Sequence, residues 1–470
     1  MSTRIGHGAE HGLPANTNSI ASALDEAPKS KFHNKVVIVS GAGFFTDAYD
    51  LFVISTVAVL ATLQWNLTTT ETSWVTGSAI LGAFIGALVF GRLADVLGRK
   101  RVYVVVALVM ILGALASAFS PNWQFLVAAR FLLGLGVGGD YPVSAVLMSE
   151  YSNRQDRGRM VSTVFSMQAL GLIVGPLVAL LLINTGVAND VAWRLLLGFG
   201  AIPAAAVIYL RTKIPESPRF RAHVEGALSE AVADLGSFTG IEVGEFTDGD
   251  RSPLMSLGSF VRSRRMLTLM LGTAGSWFLL DYAYYGNTLS LPAILKQVSP
   301  NATLSVKLLL TLGLFVVFAA PGYVMSITKM DRIGHKRLQI IGFSVMAAAF
   351  LSLAIFQQLT TVIAPFLLIF GVSYFFIQFG PNVTTFVLPS EIFPVNMRTT
   401  GHGVAAGMGK LGAFVGVFLV PILQNHVGLR GMLLVASGAA LLGILVTLPL
   451  PEPARQSLEV LTHHEPTTSR

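Results

Sequence analysis

Twelve apolar runs, each close to the ~20 residues that a helix needs to cross a bilayer, succeed one another along this chain with charged stretches between them. Few folds accept such a pattern. A segment inside a membrane has no water to satisfy its backbone, so each run predicts an α-helix. The runs are about 36–62, 74–96, 102–120, 123–149, 161–184 and 193–212, then 266–290, 306–329, 338–357, 361–388, 402–425 and 430–449. Only 12% of the 470 residues are charged, against about 25% in soluble domains. The fold class is therefore an all-α polytopic membrane protein with twelve transmembrane helices. Forty-six glycines suit close helix–helix approach. Without cysteine there is no disulfide, thiol catalysis or thiolate metal site.

The net charge of +7 is no nucleic-acid signal, because the Lys and Arg are spread over short loops. They alternate from side to side. One side holds Lys29, Lys31 and Lys35, then Arg99, Lys100 and Arg101, then Arg154, Arg157 and Arg159, then Arg211 and Lys213, and later Lys329, Arg332, Lys336, Arg337 and Arg398. The other shows only Lys296, Lys307, Arg194 and Arg430. The positive-inside rule then puts both termini in the cytoplasm. Residues 1–34 lack the apolar core of a signal peptide and are expected to be a disordered cytoplasmic tail. A polar cytoplasmic segment, 213–265, separates two six-helix halves, 35–212 and 266–450, and 451–470 is a second cytoplasmic tail. The halves repeat weakly. Asp95 and Asp331 are 236 positions apart, as are Gly98 and Gly334; Glu150 and Glu391 are 241 apart, as are Arg157 and Arg398. That predicts pseudo-symmetric halves from an internal duplication.

Charges inside the spans carry the function. A charge at membrane depth is costly, so it needs a partner, water or a proton. In the first span Asp47 and Asp50 stand three residues apart on one helix face. Two close carboxylates out of water cannot both ionise easily, which suits a proton carrier. Arg130 in the fourth span cannot lose its proton and demands an anion, with Asp47 or Asp50 the natural partner. The plainer reading is a static ion pair fastening the first span to the fourth. Asp140 lies deeper in the fourth span, followed by Tyr141 and Pro142. In the seventh span Trp277, Asp281 and Tyr285 form one stripe at i, i+4 and i+8. A protonated Asp281 is a donor to an anion and an ionised one repels it, which couples proton to anion. Gln168, Asn382 and Lys410 lie at similar depth in the fifth, tenth and eleventh spans. Their bland alternatives are interhelical hydrogen bonds for the amides and snorkelling to the surface for Lys410.

Several motifs resemble one family. They are Thr46 to Asp50, Gly91 to Arg101, Gly138 to Glu150, Trp277 to Tyr285, and Gly380 to Phe386, with Pro215 to Phe220 after the sixth span. Together they resemble the phosphate:proton symporters of the major facilitator superfamily along nearly the whole chain. The resemblance implies a phosphate site built by Tyr141, Gln168, Trp277, Asp281, Tyr285, Asn382 and Lys410. It implies a proton route through Asp47, Asp50 and Asp140, to which the buried charges read above add Arg130 and Asp281. Loop charges, namely Asp95, Arg99, Glu150, Arg157, Asp331, Glu391 and Arg398, could hold the cytoplasmic side closed by ion pairs, or serve topology alone. Val143, Val146 and Gln378 depart from the family pattern, and Val146 removes a hydroxyl, which bears on choice among oxyanions.

The function expected is proton-coupled import of inorganic phosphate by alternating access around a midplane site. The alternatives are a proton symporter of a small carboxylate or sugar, and a non-transporting nutrient sensor. No nucleophile–base pair, metal cluster or nucleotide motif suggests an enzyme. The expected partners are phosphate, protons and the bilayer of the cell membrane. The expected driving force is the proton gradient with no cofactor, and the functional unit a monomer.

Overall fold

A computed structural model describes residues 20–239 and 256–458, apart from Gln357, together with Leu461. The first half holds α1 (Lys31–Trp65), α2 (Thr69–Leu97), α3 (Arg99–Ala118), α4 (Trp123–Tyr151), α5 (Arg157–Asn184) and α6 (Asn189–Thr212). The second holds α7 (Arg264–Leu289), then α8 (Leu304–Ile333), α9 (His335–Ile355), α10 (Ile363–Ile392), α11 (Arg398–Gln424) and α12 (His426–Thr447). Eleven of these are long and apolar enough to cross a membrane. The exception is α7, whose 26 residues suffice in length but include Thr273, Ser276, Asp281, Asn287 and Thr288.

Burial explains where charge is tolerated. In the most apolar window of α1 and of α4, 83% of residues are buried inside the protein, against 33–56% in the other nine. Helices walled by protein can carry Asp47, Asp50, Arg130 and Asp140, because protein and not lipid surrounds them; Asp140 pairs with Arg211, while the carboxylate oxygens of Asp47 and Asp50 take no hydrogen bond among the described residues. Small residues bring the backbones close. A Cβ at Gly134 or Gly138 of α4 would strike main-chain atoms of Ala79 or Ala83 in α2. The α4 helix continues through Pro142 to Tyr151. The halves meet along α2 with α11 and α5 with α8.

The duplication is visible in the turns. Gly98 (φ 94°) and Gly334 (φ 100°) start α3 and α9 in the same left-handed geometry, which favours glycine. Glu216 accepts from the backbone N–H of Arg99 and Lys100 at 3.2 and 3.1 Å. Glu452 accepts from those of His335 and Lys336 at 2.8 and 3.1 Å. Burial pushes the Glu216 carboxyl up, against the pull of Arg99 and of the Ser217 and Lys100 N–H groups.

One expectation about the tail fails. Residues 1–19 lie outside the described residues, but Ile20–Glu26 is a helix, and α1 already begins at Lys31. Asp25 organises this segment. It is buried and accepts from both Arg157 and Arg219 at 2.7 Å. Two guanidinium groups would otherwise lack that anion, so the segment is ordered by docking, not by propensity. Within 213–265, residues 240–255 lie outside the described ones, and the rest contains short helices such as Leu228–Thr239 and Leu257–Arg262.

Candidate functional site

The stripe on α7 meets α11, α4 and α5 at the contact of the two halves. Lys410 of α11, 1% exposed, sets its ammonium 3.3 Å from Asp281 Oδ2 and 2.9 Å from the Tyr285 hydroxyl. It also lies over the rings of Tyr141 and Tyr285, 4.4 Å from each centroid. Snorkelling is thus overturned: the ammonium is turned inward, where a carboxylate and two aromatic faces replace its water. The Trp277 and Tyr141 rings lie 6.1 Å apart.

A second chain of contacts runs through the amides. Gln168 Nε2 donates to the Tyr141 hydroxyl at 2.9 Å. Tyr323 of α8 donates to Gln168 Oε1 at 3.3 Å and accepts from Asn382 Nδ2 at 2.9 Å. Asn382 also donates to Gln378 Oε1 at 2.5 Å. The structure therefore brings Tyr141, Gln168, Trp277, Asp281, Tyr285, Asn382 and Lys410 into one buried polar cluster fed by both halves. Tyr323 joins them unforeseen. Its one sequence signal is a tyrosine in mid-span, which composition alone does not separate from a core residue. Phe52 stacks on Tyr285 (4.9 Å, 25°). One turn further along α1, Ser55 lines a cavity of about 520 Å³ with Thr72 and Thr76 of α2, Ser290 and Lys296. It lies toward the end opposite the basic loops.

The carboxylates of α1 do not act as one pair. Asp50 faces α4 and α6, where a Cβ at Gly200 would strike its carboxylate. Asp47 has Asp140, Arg211, Asp50 and Lys410 as charged neighbours. Arg130 is not fastened to either carboxylate by an ion pair. Its guanidinium donates to the backbone carbonyl of Asp50 at 2.5 Å. Three residues along a helix leave the two side chains about 60° apart, near enough to share a face yet far enough to meet different helices. Asp140 has a partner of its own: Arg211 at the end of α6, at 2.8 Å, with Ser144 donating at 3.2 Å. Arg211 is 2% exposed and lies 4.0 Å over the Tyr103 ring. By its position in the sequence alone, Arg211 is one more cation of the basic side.

The loop charges also assemble, at the basic end. Arg99 reaches Asp95 and Glu150 at 3.2 Å each. Arg398 crosses from the second half to Glu150 at 3.3 Å. Asp95 accepts from the N–H groups of Thr399 (3.3 Å) and Thr400 (2.7 Å), where α11 begins. The mirror contact is Asp331, accepting from the N–H of Arg159 at 2.8 Å. Negative side chains at helix N-termini satisfy otherwise orphaned donors. Arg157 departs from this symmetry by bonding Asp25 and the Gln456 carbonyl, and Glu391 faces His335 instead.

These observations agree with what the chain is similar to. The family described as "Sugar (and other) transporter" matches residues 35–463. The "Probable inorganic phosphate transporter 1-6" of Arabidopsis thaliana is 36% identical over 495 residues, covering 94% of this chain and 96% of that relative. The "Inorganic phosphate transporter 1-6" of Oryza sativa subsp. japonica is 37% identical, covering 94% of each. The chain belongs to the inorganic phosphate transporters of the major facilitator superfamily. Among solved structures, the proton:xylose symporter XylE of E. coli superposes with TM-score 0.78 at 21% identity, over 92% of this chain and 98% of that one. This likeness shows the major facilitator fold.

Proposed function

We propose that the protein imports inorganic phosphate together with protons across the plasma membrane, by alternating access, with both termini cytoplasmic, as a monomer and without a cofactor. The observation that carries this is Lys410, a buried cation at the junction of the halves whose ion-pair partner is a titratable carboxylate, Asp281. An ionised Asp281 and an oxyanion compete for the same ammonium. A proton on Asp281 removes the competitor and makes its carboxyl a donor. Tyr141, Gln168, Trp277, Tyr285 and Asn382 then supply neutral donors, which suit an anion already matched by one charge. On the first half, Asp47, Asp50 and Asp140 offer further proton sites beside Arg130 and Arg211. The network of Asp95, Arg99, Glu150, Arg398 and Asp331 at the basic end we read as the cytoplasmic gate, closed here. The names of the relatives support phosphate as the substrate, and their being transporters supports a non-enzymatic role.

The test is uptake of radiolabelled phosphate into proteoliposomes, with and without an inward proton gradient, for wild type and Asp281→Asn. Gradient-driven uptake by wild type, lost in the variant while phosphate still binds, is the expected result. Wild type that moves no phosphate in vesicles of verified orientation sinks the substrate assignment. Competition by unlabelled carboxylates or sugars then names the true cargo.

A further inference from the structure

The two halves repeat with an offset of 236, and the repeat breaks at one charge. Gly98 and Gly334, Asp95 and Asp331, and Glu216 and Glu452 are paired by this offset and make matching contacts. Where the first half has Arg99, the second has His335. Arg99 holds Asp95 and Glu150 with a fixed charge. His335, fully buried, sets Nε2 3.6 Å from Asp331 Oδ1 and Nδ1 3.8 Å from Glu391 Oε2. The second cation is also displaced. Arg398 reaches Glu150, but its counterpart Arg157 turns away to Asp25 and Gln456. Around the first-half carboxylates Asp95 and Glu150 stand two fixed cations, Arg99 and Arg398. In the second, two carboxylates face an imidazole.

The other charged groups around this point leave that imbalance in place. Glu452 caps the N–H groups of His335 and Lys336. Lys336 sends its ammonium to the Leu448 carbonyl. Arg159 touches Asp331 through its backbone, and the charge of Arg157, itself bonded to Asp25 and the Gln456 carbonyl, acts on Glu391. Among the described residues no group of three or more His, Cys, Asp or Glu side chains could hold a metal ion.

We propose that His335, Asp331 and Glu391 form a proton-binding site at the basic end, whose proton holds that end shut. The proposal rests on reading this end as the cytoplasmic gate. A neutral imidazole has one N–H and one lone pair, so with a carboxylate beside each nitrogen the lone pair must face an oxygen. An imidazolium turns an N–H to both and adds the charge that Arg99 supplies in the other half. The cluster sits where the halves touch: a Cβ at Gly158 of α5 would run into both Asp331 and His335. Opening the gate must part Asp331 from Arg159 and wet the cluster, which weakens its hold on the proton. A proton bound more tightly in the closed state favours that state at low pH and releases it as pH rises. An acidic cytoplasm would then keep the inner gate closed whatever the supply outside.

The absence of cysteine provides a clean probe. Ser390 is buried at the contact of the halves, where its carbonyl accepts from Ser149 at 3.0 Å. Ser390→Cys therefore introduces a lone thiol that only an opened basic end exposes. Its labelling by an impermeant maleimide is followed in inside-out vesicles, each rate divided by that of the denatured protein at the same pH. With His335 present, labelling should rise about tenfold between pH 6 and 8. His335→Arg should be slow at both, and His335→Gln fast at both. A pH-independent rate with His335 present, or a rate that still climbs in His335→Arg, overturns the proposal. Labelling needs no cargo, so it is decided separately from phosphate uptake in right-side-out vesicles, which tests the transport reading.

Discussion

Replacing Arg211 with Met isolates the worth of a buried ion pair that no loop cation should make. The guanidinium holds Asp140 at 2.8 Å, donates to the Tyr103 carbonyl at 3.2 Å and covers the Tyr103 ring at 4.0 Å. Methionine keeps much of the volume and loses the charge. The carboxylate of Asp140, fully buried, would then fold protonated instead of staying alone as an anion. Taking up that proton costs about 1.4 kcal/mol for each pH unit above an ordinary aspartate value of about 3.9, hence roughly 4 kcal/mol at pH 7. This lies in the ~3–5 kcal/mol range for breaking a buried pair. With an unfolding entropy of about 2.1 cal/mol/K per residue, a chain of 470 residues gives roughly 1 kcal/mol per degree. The melting temperature of purified Arg211→Met should fall by about 4 °C at pH 7. The sign of the pH effect follows. The variant needs a proton to fold, so its deficit against wild type should shrink as pH falls toward 4 and grow above 7. Asp140→Asn has no such escape, because arginine keeps its proton, and its deficit should be independent of pH across that range. Fluorescence-monitored melting of both variants between pH 5 and 8 checks this. An Arg211→Met deficit that does not change with pH would refute the argument that the pair is held by charge.

Lys410→Gln should keep the fold and weaken phosphate binding at least tenfold, as the loss of a charge-assisted hydrogen bond worth ~1.5–3 kcal/mol implies; phosphate KM in vesicles reads it. Tyr323→Phe removes the hydroxyl that joins Gln168 to Asn382, and should raise KM several-fold, corresponding to about 1 kcal/mol. A double-mutant cycle with Gln168→Ala should be non-additive, and additive costs would mean that the two do not act together. Asp25→Ala leaves Arg157 and Arg219 without their shared carboxylate. It should speed proteolysis of the amino-terminal segment, with little effect on the phosphate affinity of the distant site.

The sequence makes the spans legible because each must satisfy one length and one apolarity. The α7 stripe was also legible, because spacing at i, i+4 and i+8 fixes a face before any neighbour is known. What spacing cannot supply is the neighbour. Lys410 could be placed at depth from its position, but whether it turned outward or inward depended on Asp281 and Tyr285 of another helix. Arg130 by position suits an α1 carboxylate and takes the Asp50 carbonyl, while Arg211, by position a loop cation, takes Asp140. The helix Ile20–Glu26 has seven residues, too few to be stable alone, and its order comes from a docking contact that no local pattern announces. Glu452 did carry a signal: Pro451-Glu452 lies 236 positions after Pro215-Glu216, and extending the repeat past the last span finds the second cap.

The placement of charge explains how so closed a molecule can move. At the basic end the halves are joined through carboxylates that accept from helix N-termini and from arginines, contacts that water can replace once the end opens. At the other end the lining of the cavity is hydroxyl and apolar, and Lys296 is its one ionisable group among the described residues. No ion pair between described residues joins the halves there. The basic end therefore carries the electrostatic bias between the two states, and the cargo must offset it from the centre. Lys410 is suited to do so. Its ammonium touches Asp281 and Tyr285 of the second half and the Tyr141 ring of the first. An anion bound there competes for contacts that join the halves, and substrate affinity becomes a force on the gate only if those contacts differ between the two states.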